Sequence, residues 1–103
     1  MRFVLCLLIV CFTTLAQEPT GVITGVVVDP SGATVPRAVV TATNMQTGRD
    51  YTLYTTENGA FTFPTLAAGE YAVKVEAQGF ASYELTRVKV EIDRTLRIPA
   101  ELV

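Results

Sequence analysis

From Gly21 to Val103, apolar and polar residues alternate with a period of two, and turn-forming residues interrupt them at short intervals. This pattern predicts strands with one buried face rather than helices. The first strand is Val22–Val28, and Gly25 inside it marks a bulge or a close backbone approach. Asp29-Pro30-Ser31-Gly32 follows as a turn, with proline presetting φ and Asp29 able to bond back to the backbone. Ala38–Asn44 is the second strand, with Ala38, Val40 and Ala42 inward and Val39, Thr41 and Thr43 outward. A polar connection around Gly48 leads to a third strand, Tyr51–Thr56.

Glu57-Asn58-Gly59 reads as a hairpin turn, because Asn-Gly accepts the positive φ of a tight reversal. Ala60–Phe63 is the returning strand, with Phe61 and Phe63 on one face. Pro64 is expected to end that strand, and Leu66 to plug the end of the core. Glu70–Ala77 places Tyr71, Val73, Val75 and Ala77 on one side. Gly79-Phe80 turns the chain with Phe80 tucked inward. Tyr83 and Leu85 then occupy odd positions, while Val88, Val90 and Ile92 occupy even ones, so a bulge or break is predicted at Thr86-Arg87. In Thr95–Val103, Leu96, Ile98, Ala100 and Leu102 alternate with polar positions, and Pro99 points to a sheet edge. The predicted fold is all-β: an antiparallel two-sheet sandwich of about seven strands.

The first sixteen residues break the pattern. Arg2 precedes an unbroken apolar run from Phe3 to Phe12, and Thr13 to Ala16 form a small-residue exit. This is the layout of a secretory signal peptide over 1–16, cut near Ala16, followed by a linker at 17–20. The expected location is therefore the periplasm, the outer membrane or the exterior. Both cysteines, Cys6 and Cys11, lie in the leader, so the processed chain holds no thiol. Its stability must come from packing and sheet pairing without disulfides. A lipid on Cys11 is the lesser alternative, because Val10 is large for the residue before a lipidated cysteine.

Removing the leader leaves seven basic and ten acidic residues, a net charge of −3. No basic patch stands out, which argues against nucleic acid as a partner. With no histidine, histidine-built zinc sites and Ser–His or Cys–His pairs are excluded. Glu76, Glu91, Asp93 and Glu101 fall on solvent faces beside Lys74, Lys89 and Arg97, where cross-strand ion pairs are expected rather than a catalytic carboxylate pair. Asp29, Asp50, Glu57 and Asn58 read as turn residues, not as a calcium loop. No catalytic residue, metal or cofactor is expected. The remaining candidates for ligand contact are Tyr51, Tyr54 and Tyr83, whose rings could stack on a sugar.

GVVVDPSGATVPRAVVTATNMQTG, followed by TTENGAFTFPTLAAGEYAVKVEAQGF, resembles the carboxypeptidase regulatory-like domain. The resemblance rests on Gly25, the Asp29–Gly32 turn, Pro36, Ala38, Val40 and Thr56–Gly59. It continues through Phe61, Phe63, Leu66, Gly69, Tyr71, Val73, Val75, Gly79 and Phe80, and covers residues 21–103. It implies a transthyretin/Ig-like sandwich grouped with carbohydrate-binding-like folds. It also implies a non-catalytic role, of the kind such modules have at the front of bacterial TonB-dependent outer-membrane receptors.

The expectation is an exported structural, docking or protein-interaction module at the cell envelope, meeting the membrane only through an envelope partner or a Cys11 lipid. A strand edge, the first or the last, would receive a partner strand. The alternative is a carbohydrate-binding module, which two exposed tyrosines on one flat face would favour.

Overall fold

The computed structural model describes residues 19–103. The expected leader, both cysteines, and Gln17 and Glu18 of the expected linker lie outside the described residues. Seven strands follow in order: β1 (Thr20–Val28), β2 (Val39–Asn44), β3 (Asp50–Tyr54), β4 (Ala60–Ala67), β5 (Gly69–Glu76), β6 (Tyr83–Val90) and β7 (Thr95–Glu101). They form a three-stranded sheet, β4-β1-β7, and a four-stranded sheet, β3-β2-β5-β6. Thr20, placed in the linker by sequence, already belongs to β1, and the Pro19 carbonyl accepts the Ala68 amide at 2.9 Å.

The alternation decides what fills the space between the sheets. Ile23 and Val27 of β1, Val40 and Ala42 of β2, and Tyr71, Val73 and Val75 of β5 are fully buried. Phe61, Phe63 and Leu66 enter from β4, and Ile98, Ala100 and Leu102 from β7 and its end. Gly25 occupies an inward position directly opposite Phe61. A Cβ there would lie 2.6 Å from Phe61 Cζ, so the absent side chain is what admits the ring. This is the close approach expected at Gly25.

The parity switch in β6 is a bulge. Tyr71 pairs with Val88 and Val73 with Leu85, so Thr86-Arg87 supplies one extra residue, with Arg87 at φ 58°. Val88 and Val90 are buried as expected, whereas Ile92 lies past the strand end and is exposed.

Three expectations need correction. Glu57-Asn58-Gly59 does not close a hairpin within one sheet. The turn is local: Gly59 N donates to Thr56 O at 2.9 Å, Thr56 N donates to Ala60 O at 2.8 Å, and only Gly59 has positive φ. Beyond it the strands part, with β3 pairing with β2 and β4 with β1. The turn is thus a corner between sheets. Pro64 does not end its strand either. β4 runs through it, because β4 is an edge strand where a missing N–H costs no ladder bond. The register slips here by one residue, Phe63 and Leu66 facing Ile23 and Gly21, and so Leu66 still points inward. Finally, the pairing is not wholly antiparallel: β7 runs parallel to β1, from Val22 opposite Thr95 to Val28 opposite Glu101.

Candidate interaction surface

Among the described residues, buried side-chain polar groups are matched by partners, and these bonds fix the connections between strands. Thr55 Oγ1 accepts from Ala38 N at 2.8 Å and donates to Val35 O at 2.9 Å. Asn44 Oδ1 accepts from the amides of Gln46 and Thr47, at 2.9 and 3.1 Å. The Tyr71 hydroxyl donates to Ala67 O at 2.7 Å and accepts from Asn44 Nδ2 at 3.4 Å, and burial pushes its pKa up. Asp29 is the turn former expected: Oδ1 accepts from Ser31 Oγ at 2.6 Å and from the Ser31 and Ala33 amides, and the Ser31 hydroxyl leads in lowering its pKa.

The solvent-facing carboxylates are spread out. Glu76, Glu91, Asp93 and Glu101 are all exposed. The ion pairs differ from the cross-strand ones expected: Lys74 meets Glu76 along the same strand at 2.9 Å, and Arg94 meets Glu91 within one turn at 3.3 Å. Exposed pairs of this kind contribute little to stability. Among the described residues, no three His, Cys, Asp or Glu side chains gather as metal ligands would.

The three tyrosines lie apart. Tyr51 packs against the core, 6.5 Å from the Tyr71 ring, with the Arg49 guanidinium 5.2 Å over its face. Tyr54, on the opposite face of β3, is 69% exposed. Tyr83 sits at the far edge of that sheet, and its hydroxyl donates to Pro99 O of β7 at 3.3 Å. They do not form one platform.

What the fold does assemble is a surface around β7, which sequence reasoning missed. On the outer side of the three-stranded sheet, Val26 is 40% exposed and pairs in register with Pro99. A shallow depression of about 570 Å³ opens there, lined by Val26, Val28, Arg97, Pro99 and Glu101 among others. On the other side of β7, a groove of about 410 Å³ separates it from β6 and is lined by Leu85, Arg87, Lys89, Leu96 and Pro99 among others. Leu85 and Leu96 are 36% and 38% exposed. The one readable signal was Val26 and Val28 at outward positions of a strand flanked by turns. The groove depends on β6 and β7 meeting across the sandwich, which local pattern does not encode.

Two sheets, a Gly-Phe contact across β1 and β4, and a closing strand parallel to the first define a β-sandwich of the transthyretin-like class. The chain belongs to the carboxypeptidase regulatory-like domain family, whose description matches residues 22–103. Over 89 residues it is 32% identical to the TonB-dependent transporter Oar of Myxococcus xanthus, covering 85% of this chain and 8% of that protein. Among solved structures it resembles a candidate carbohydrate-binding protein of Bacteroides uniformis, with TM-score 0.68 and 21% identity over 82% of this chain and 42% of the other. It also resembles catechol 1,2-dioxygenase of Acinetobacter radioresistens, with TM-score 0.64 and 13% identity over 84% and 52%. At these identities the structural likenesses show a shared fold.

Proposed function

We propose that this chain is an exported, non-catalytic docking module of the cell envelope, and that it acts as the front part of a TonB-dependent receptor-like protein. The observation that carries this reading is exposed apolar surface on both sides of β7: Val26 beside Pro99 on the outer face, and Leu96 with Leu85 in the groove toward β6. Exposed apolar area rimmed by charges such as Arg97, Lys89 and Glu101 is the usual mark of a protein-binding surface. The similarity to Oar supports an envelope setting.

Docking takes place face-on rather than by strand addition at either end of the chain. β1 is central and has no free edge. β7 is an edge, but Pro99 lacks an N–H in its middle and Tyr83 already occupies the Pro99 carbonyl. The separated tyrosines favour this reading over carbohydrate binding.

Export is tested by the intact mass of the native protein in each cell fraction. A species beginning near Gln17 in periplasm, outer membrane or medium is expected. A cytosolic species that retains Met1–Ala16 would contradict the proposal.

A further inference from the structure

The two sheets have four edge strands, and three carry a device against further pairing. On β4, Thr56 occupies both groups of Ala60: its amide donates to Ala60 O at 2.8 Å and its Oγ1 accepts from Ala60 N at 3.2 Å. Pro64 removes a second donor along the same edge. On β7, Pro99 and the Tyr83 hydroxyl do the equivalent. On β6, the bulge at Thr86-Arg87 bends the strand.

β3 has no proline, glycine or bulge, and its register with β2 is unbroken from Asp50 to Tyr54. Thr55 N donates to Ala38 O at 2.9 Å, and Asn44 N donates to Arg49 O at 2.8 Å. These bonds bracket the strand and fix its phase. The odd-numbered residues bond to β2, and Asp50, Thr52 and Tyr54 turn their amides and carbonyls to the open side. Among the described residues no strand pairs with them.

We infer that this edge pairs with the same edge of a second copy, antiparallel about a two-fold axis at Thr52. Only this register uses all three open residues of both copies, giving about six main-chain hydrogen bonds. The sequence Asp50-Tyr-Thr-Leu-Tyr54 suits it. Thr52 faces Thr52 of the other copy, a favourable cross-strand pair. Asp50 faces Tyr54, so the carboxylates do not oppose each other. Tyr51 faces Leu53, and each now half-exposed at the rim of its core would cover the other. The result is a continuous eight-stranded sheet. The interface lies at the opposite edge from the β7 surface and does not depend on the docking proposed there.

Sedimentation velocity on the purified, cell-processed chain tests this. A five-residue edge makes a small interface, so the monomer should give way to dimer between about 10 μM and 1 mM. Thr52 is exposed on the outer face, so Thr52→Lys and Thr52→Glu should each fold with the wild-type circular dichroism spectrum and remain monomeric. Mixed in equal amounts, the two variants should dimerise again, because opposite charges then meet at the axis. A wild-type chain monomeric at 1 mM would overturn the inference, whether or not its edge accepts another protein's strand. So would a Thr52→Lys dimer as strong as wild type.

Discussion

The Val27 amide donates to the Gly59 carbonyl at 2.8 Å, and a Cβ built on Gly59 would lie 2.8 Å from the Val27 carbonyl oxygen. The corner between the sheets is therefore held against the C-terminal end of β1. Gly59 also sits at φ 73°, where a β-branched residue is strained. Gly59→Val should destabilise the fold by about 3 kcal/mol, combining the left-handed backbone cost with the steric clash. Urea unfolding should show a lower midpoint at unchanged slope. An unchanged midpoint would refute the corner geometry.

Tyr71 joins the Asn44 turn to β4. In Tyr71→Phe, Ala67 O loses its donor and Asn44 Nδ2 its acceptor. The expected loss is about 1–3 kcal/mol. The pH dependence has a definite sign. The folded pKa lies above the ordinary 10.0, so the folded state holds this proton more tightly than the unfolded one. The associated stability is complete below pH 10.0 and falls as pH rises through the folded value. The wild-type advantage over Tyr71→Phe should shrink above that pH, as read from urea midpoints.

Asp29 behaves in the opposite sense. Its folded pKa lies below 3.8, held down first by the Ser31 hydroxyl. Its contribution is present above that pH and is lost as pH falls through the folded value. An NMR titration should place the Asp29 carboxyl below the usual range, and Ser31→Ala should move it back upward.

Arg87 occupies the left-handed region at φ 58° in the β6 bulge and is exposed. Glycine relieves that strain at some cost in unfolded-chain entropy. Arg87→Gly should therefore stabilise the domain by about 0.5–1 kcal/mol, seen as a higher melting temperature. A lower melting temperature would mean that the arginine side chain contributes packing beyond its backbone strain.

The sequence was informative wherever one residue's neighbours along the chain decide its environment. Alternation placed Val40, Tyr71, Val73 and Ile98 inward, and the parity change at Thr86-Arg87 located the bulge. It misled where pairing partners decide. Asn58-Gly59 specifies a reversal but not which strand the next segment joins. Pro64 looks like a terminator unless β4 is known to be an edge. The parallel pairing of β1 with β7 joins residues more than seventy positions apart and leaves no local trace. In the sequence, Tyr51, Tyr54 and Tyr83 stand out as aromatic positions outside the obvious core. Side-chain parity sends the first two to opposite faces of β3, and topology sends the third to the other end of the sheet. The β7 surface stayed hidden for the same reason: Val26 meets Pro99, and Leu85 shares a groove with Leu96, only after the sheets assemble.

The most direct test of the docking role is site-specific photo-cross-linking in the living cell. The reactive residue would replace Val26 beside β7 or Leu96 within it, or Lys74 on the exposed face of the four-stranded sheet. The account predicts a discrete adduct with an envelope protein from Val26 and Leu96, and none from Lys74. No adduct at any of the three sites, or the same adduct from Lys74, would contradict a docking surface on β7.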